Sequence, residues 1–351
     1  MICIAALVCT VFAQSNSDLF LPNNFPGRID ITRVDTDISK NTLPKDFLWG
    51  FASAAVQNEG SASADGKSDS IWDVYARIPG KILNGTTPEV AVDEYVRYKE
   101  TTQLLKEAGA TAYRLSISWP RLIPGGHRGS PVNQLAVQHY NDVFDDLISN
   151  GITPLVTLYH WDLPQVLDSS YGGLLNATEF PQDYAYFADK AFEAFGEKVK
   201  LWLTFNEPIS SCAFGYGIGM HAPGRCPDRK KCKEGNGMGE VLQCGHSILL
   251  AHAKAVDIYR KKYQNIQEGQ ISIAPNSEWA QPMNPDNSFD RFFAQAKMDF
   301  MLGWFADPIF LTGRYPLLMR AALFSQLPWF TSEESKMLKG SADFFAINHY
   351  S

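Results

Sequence analysis

The sequence predicts an α/β fold, a (β/α) barrel of which about six β/α units are present. Three observations carry this expectation. Short β-branched and aromatic runs alternate with helical stripes, the runs are apolar along most of their length, and polar residues gather at their C-terminal ends. Parallel strands covered by helices are buried on both faces and read as continuous apolar runs, and α/β barrels place functional groups at strand C-termini. The 351 residues, 45% hydrophobic, suffice for one large core.

Residues 47–53 are the first strand candidate, and a helix from near Val90 to Ala108 follows, stopped by Gly109. Residues 113–119 form the second strand, closed by Pro120, which has no N–H for a ladder. Tyr140, Val143, Phe144, Leu147 and Ile148 recur at helical spacing, and Asn150-Gly151 ends that helix. Residues 153–160 are the third strand. Tyr184, Phe187, Ala188, Ala191, Phe192 and Phe195 line the next helical stripe. The fourth strand, 201–206, runs into Asn206-Glu207-Pro208. A helix around His246 to Tyr263 leads to a fifth strand, 270–276. Helical segments near 292–305 and 315–324 lead to a sixth, 344–350. No repeat or low-complexity linker interrupts residues 43–351, which read as one barrel domain.

Residues 1–13 form an apolar run too short to span a bilayer, with Val11 and Ala13 setting a small-residue cleavage pattern before Gln14. This predicts a secretory signal peptide, although no Lys or Arg precedes the run; residues 14–42 then read as an irregular lead. The sequons Asn84-Gly-Thr86 and Asn176-Ala-Thr178 agree with a secreted, extracellular glycoprotein. Cleavage after Ala13 removes Cys3 and Cys9 and leaves Cys212, Cys226, Cys232 and Cys244, an even number that permits disulfides. Cys226 and Cys232 are spaced to close a small loop, but the pairing stays open. Without paired C-x2-C spacing or a nearby His cluster, no zinc site is expected, and no metal or cofactor. A net charge of −7 and a pI near 5.5 argue against nucleic acid or an anionic membrane as partner.

The strand ends carry Gln57 and Glu59, Arg114, His160-Trp161-Asp162, Asn206-Glu207, Asn276, and Asn348 with Tyr350. Taken singly, His160 reads as a satisfied core histidine and Arg114 as a structural ion-pair partner. A barrel brings them to one mouth, where amides, imidazole and phenol suit a polyhydroxylated ligand.

With these residues in view the sequence resembles the family-1 glycoside hydrolases, the retaining β-glucosidases, and in particular secreted fungal members. The resemblance rests on Leu43-Pro-Lys-Asp-Phe-Leu-Trp-Gly-Phe-Ala52, Tyr113-Arg-Leu-Ser-Ile-Ser-Trp119, Tyr159-His-Trp-Asp-Leu-Pro-Gln165, Thr204-Phe-Asn-Glu-Pro208, Ala222-Pro-Gly-Arg225, Trp304-Phe-Ala-Asp-Pro308 and Ile347-Asn-His-Tyr350. It implies a (β/α)8 TIM barrel that hydrolyses terminal β-D-glucosyl residues of small β-glucosides or oligosaccharides. Carried over by position, Glu207 matches the general acid/base, and Asn206 its partner on the sugar 2-hydroxyl. Gln57 and His160 match groups that bind the nonreducing sugar. Tyr350 and Arg114 match supports of the nucleophilic carboxylate, Asn348 lines the same pocket, and Asn276 matches a position near the aglycone.

Two departures stand out. Glu94 and Tyr95 occupy a place where the family often has His-Tyr or Phe-Tyr, read here as a helix-surface change. The family's nucleophile motif belongs to a seventh strand that would follow Ser351, and neither Glu59 nor Glu278 matches its position. The resemblance therefore implies a C-terminally truncated fragment, inactive as it stands. The alternative is a catalytically dead sugar-binding or interaction protein.

Overall fold

The computed structural model describes residues 43–350; the signal peptide and irregular lead expected over 1–13 and 14–42 lie outside the described residues. Trp49 opens a compact unit that holds all the elements below. Its frame is an all-parallel sheet in the order β1 (Gly50–Ala52), β2 (Ala112–Ser116), β3 (Thr153–Tyr159), β4 (Leu201–Asn206) and β5 (Gln270–Ala274). The crossovers carry α1 (Glu94–Glu107), α2 (Gln134–Ser149), α3 (Phe180–Phe195) and α4 (Met238–Ile258). After β5 come α5 (Ser288–Met298), α6 (Leu317–Leu323) and α7 (Ser332–Leu338). Parallel neighbours in sequence order, each joined through helix, are the winding of a (β/α) barrel. Among the described residues the sheet is open, with β1 and β5 at its two ends.

Local chemistry explains most element positions. A Cβ on Gly50 would lie 1.8 Å from the Ala112 carbonyl oxygen, so only glycine lets β1 approach β2 in this register. The α2 stripe is buried at Tyr140, Val143, Phe144 and Leu147, while Ile148 lies 45% exposed, just beyond the edge of the apolar face. All six stripe residues of α3 are buried. The helix expected from His246 starts earlier, at Met238, because Val241, Leu242 and Cys244 extend its buried face upstream.

The fifth and sixth strands depart most from expectation. The 270–276 run is cut at Pro275, which offers no N–H, and the ladder resumes as a separate strand β6 (Asn276–Ser277). β6 pairs in parallel with β7 (Asn348–His349), the only part of the expected sixth strand in a ladder. Upstream, that segment meets β5 through isolated bonds, such as Asp343 N–H to the Ile271 carbonyl at 2.9 Å.

Helix and sheet meet over an aromatic core. Trp119 stacks on Phe187 at 4.8 Å between ring centroids, and Tyr184 on Phe205 at 4.4 Å. Phe192 sits between Trp202 and Tyr259, 5.1 and 4.8 Å away. Two disulfides, Cys212–Cys244 and Cys226–Cys232, pair the four cysteines. The first ties the short helix after β4 to α4.

Polar groups are buried beside this core. The fully buried Arg121 donates to Glu59 at 3.0 Å and lies 3.9 Å from the Tyr95 ring centroid, while Tyr140 donates to the other Glu59 oxygen at 2.6 Å. Glu94 is not a surface residue: it accepts from the Tyr113 hydroxyl, and burial raises its pKa. Asp162 is 1% exposed, and burial pushes its pKa up to about 7, with Ser118 acting in the opposite direction.

Two expectations follow from these placements. Replacing Phe192 by Ala should cost roughly 3–5 kcal/mol, read as a lower denaturant midpoint, because the rings of Trp202, Tyr259 and Tyr263 lose their common neighbour. Asp162 binds its proton more tightly folded than unfolded, where an Asp titrates near ~3.9. Its contribution is fully present below that pH and is lost as pH rises through about 7. Between pH 4 and 8 the melting temperature of Asp162→Asn should therefore fall less steeply than that of the parent; parallel slopes would refute the buried acid.

Candidate active site

The sheet order places the tips of β2, β3 and β4 side by side, and β7 brings Asn348 and Tyr350 to the same place. The centre of the group is Arg114, on β2. Its Nε donates to Thr157 Oγ1 at 2.9 Å, one terminal nitrogen to Asn348 Oδ1 at 3.2 Å, and the other to Asn206 Oδ1 at 2.6 Å. Burial lowers its pKa to about 10, with the negative charge of Glu207 acting in the opposite direction.

This guanidinium fixes the groups around it. Arg114 only donates, so Asn206 must present its carbonyl oxygen there and its NH2 to His160 Nε2, 2.9 Å away. His160 Nε2 is therefore an acceptor and the ring proton sits on Nδ1, which is buried without a partner. Burial, reinforced by the Arg114 charge, lowers the His160 pKa to about 3, so the ring is neutral. Trp161 donates its indole N–H to the Asn206 carbonyl at 3.0 Å and holds the same turn from the other side.

Glu207 follows at the β4 tip, 8% exposed, with φ 45° and ψ 64° in the left-handed region. That conformation is strained for a residue with a Cβ. Pro208 starts a short helix directly after it, Pro208–Cys212, and Ser211 N–H bonds the Glu207 carbonyl at 3.1 Å. The carboxylate takes three donors: Ser210 Oγ on Oε2 at 2.9 Å, and Asn348 Nδ2 and the Tyr350 hydroxyl on Oε1 at 2.7 and 2.8 Å. The bond to Glu207, then burial, raises the Tyr350 pKa.

The structure thus joins Arg114, His160, Asn206, Glu207, Asn348 and Tyr350 in one network. Two expected members stand apart. Gln57 is exposed on the one-turn helix Ala55–Asn58 after β1 and makes no bond to the network among the described residues. Asn276 lies beside Asn348 across the β6–β7 ladder, and its buried Oδ1 has no partner. Glu59 is held by Arg121 and Tyr140, and Glu278 by Lys297 at 2.8 Å, so neither carboxylate enters the network.

Residue patterns alone did not single out Ser210 or Thr157. Ser210 has a weak signal, three residues past Glu207 at a helix start. An apolar wall was missed as well: the His221 ring lies 5.3 Å from Trp72, 5.1 Å from Trp161 and 4.9 Å from Phe214. Trp72, Trp161 and the Phe214–His221 segment lie far apart in sequence, and no motif links them. Among the described residues no group of three or more His, Cys, Asp or Glu is arranged to hold a metal, and no helix is long and apolar enough to cross a membrane.

Comparison with known proteins gives this geometry a family. The chain is 48% identical over 310 residues to beta-glucosidase 1B of Phanerodontia chrysosporium, covering 88% of this chain and 57% of that protein. It is 45% identical to beta-glucosidase 40 of Arabidopsis thaliana, covering 92% of this chain and 62% of that one. The crystal structure of a GH1 beta-glucosidase from the fungus Humicola insolens in complex with glucose superposes with a TM-score of 0.85 at 48% identity, over 88% of this chain and 64% of that one. The chain thus spans about three fifths of the length of these relatives. Residues 39–351 match Glycosyl hydrolase family 1, and the chain belongs to that family.

Proposed function

We propose that these residues supply the acid/base half of a retaining β-glycosidase acting on terminal β-D-glucosyl groups of small glucosides or oligosaccharides. The observation that carries this reading is the Glu207 carboxylate, held at a strand tip by Ser210, Asn348 and Tyr350 beside the Asn206–His160 pair. Glu207 protonates the glycosidic oxygen as the C–O bond breaks and later takes the proton of the attacking water. Asn206 and His160 face the sugar hydroxyls, and Gln57, unbonded and exposed, is free to meet the same ring. Arg114 and Asn348 hold Asn206 in register, and Asn276 lies toward the aglycone.

Retention requires a second carboxylate about 5–5.5 Å from the first. Glu59 and Glu278 are engaged elsewhere, by Arg121 and Tyr140 and by Lys297, so the proposal assigns to residues 43–351 only the acid/base half of the pair. The leader-like start and the sequons, with Asn84 exposed on a turn, support a secreted protein. No metal or cofactor takes part in this scheme.

The test is hydrolysis of a β-glucoside by the protein with whatever sequence its gene places after Ser351. Glu207→Gln should lower kcat/KM for a disaccharide by about 10²–10⁴, and less for a nitrophenyl glucoside, whose leaving group needs little protonation. Equal losses on both substrates would contradict the acid role. Turnover of the nitrophenyl glucoside by the 351-residue chain above its Glu207→Gln control would demand a second carboxylate within these residues.

A further inference from the structure

Away from the Asn206–Glu207 network, a cavity of about 520 Å³ opens where the turn at Gly313 meets α6 and α7. Four cationic side chains line it: Arg314 from the turn, Arg320 from α6, Lys336 from α7 and Lys339 just past its end. Carboxylates outnumber cations in this chain, 38 Asp and Glu to 31 Lys and Arg. Even so, among the described residues none of these four is paired with one. Arg320 is the telling case, because its Nε is cut off from solvent and has no hydrogen-bond partner. Holding a half-buried guanidinium without a countercharge is costly, and an oxyanion in the cavity it lines would offset part of that cost.

The opposing charge is small. Asp307 is the one carboxyl on the wall, and burial, with Asp299 next to it, pushes its pKa up to about 6. Glu334 on α7 is engaged with the Thr331 N–H at 2.8 Å. The hydroxyls that reach the cavity are also occupied: Thr312 donates to the Arg314 carbonyl at 2.9 Å, Ser335 to the Gly313 carbonyl at 2.8 Å, and Tyr315 meets His246 Nδ1 at 2.8 Å. What remains unmatched is cationic, in a volume larger than a bare inorganic ion fills and within the range of small-ligand sites.

We propose that this cavity is a binding site for a small organic oxyanion, a phosphate or sulfate monoester, clasped by Arg314 and Arg320 with Lys336 and Lys339 closing on its charge. Guanidinium forks match tetrahedral oxyanions, and two lysines one helical turn apart supply the balancing charge. The site is separate from the glycosidase reading and does not depend on it.

Calorimetric titration of the 351-residue chain at constant ionic strength tests it, with phenyl phosphate, phenyl sulfate, inorganic phosphate and phenol as probes. The expected result is saturable one-to-one binding of at least one ester, tighter than inorganic phosphate, with no binding of phenol. Preference for phenyl phosphate assigns the site to dianions, and preference for phenyl sulfate to monoanions. The exposed pair K336Q/K339Q and, separately, R320Q should each weaken binding at least tenfold, with near-ultraviolet circular dichroism confirming the fold. Unchanged affinity in K336Q/K339Q, heats no larger than those of matched sodium chloride, or inorganic phosphate binding as tightly as the esters (an adventitious ion only) would each overturn the proposal.

Discussion

The candidate active site depends on one half-buried charge. Arg114 lies inside the barrel, bonded only to neutral acceptors, Thr157, Asn348 and Asn206. A guanidinium in this setting cannot shed its proton cheaply, so the structure must satisfy it with oxygen atoms in fixed places. Through that demand it turns the Asn206 amide, and the amide turns the proton of His160 to Nδ1. The formal countercharge, Glu207, is reached only through Asn348, which bonds both groups. A hydrogen bond to a charged group typically contributes about 1.5–3 kcal/mol. The amides therefore contribute to folding as much as to any ligand.

Holding the cup also requires strain. Glu207 and Trp161 both have positive φ, 45° and 78°, conformations that cost on the order of 1–3 kcal/mol each for residues with side chains. Each is braced. Glu207 is followed at once by a proline-started helix, and that helix is stapled to α4 by Cys212–Cys244. Trp161 is fixed by its bond to the Asn206 carbonyl and its contact with His221. The two strained residues thus sit on either side of Asn206, the amide that Arg114, His160, Asn348 and Trp161 together orient.

How much of this was legible in the residues depended on the range of the forces. Helical stripes such as Tyr184 to Phe195 announce themselves because burial repeats with the helix period, and strand tips follow from apolar runs ending in polar residues. Pro275 sat inside an apolar run and split it, which hydropathy does not register. Glu94 and Asp162 are acidic residues whose burial is set by neighbours far along the chain: Tyr113 for one, and the segments carrying Ser118, Glu59 and Lys67 for the other. Family motifs located Arg114, Asn206, Glu207, Asn348 and Tyr350. They did not reveal that Tyr350 would lie on Glu207 itself, a contact created by the course of β7.

That contact bears on the chemistry. One guanidinium and one carboxylate make the described cup close to neutral, and Oε1 of Glu207 carries two of its three donors, Asn348 and Tyr350. Tyr350 is 76% exposed, so little but this single bond orients it. A second carboxylate placed about 5 Å away, as retention requires, would compete for the Tyr350 hydroxyl and for the remaining reach of Arg114. It would also leave the cup with a net negative charge, and two carboxylates sharing such a site hold on to a proton that neither would keep alone. Under the proposed reading, acid catalysis would belong to the pair: the residues described here would fix where a proton is delivered, and a second carboxylate would favour keeping one there.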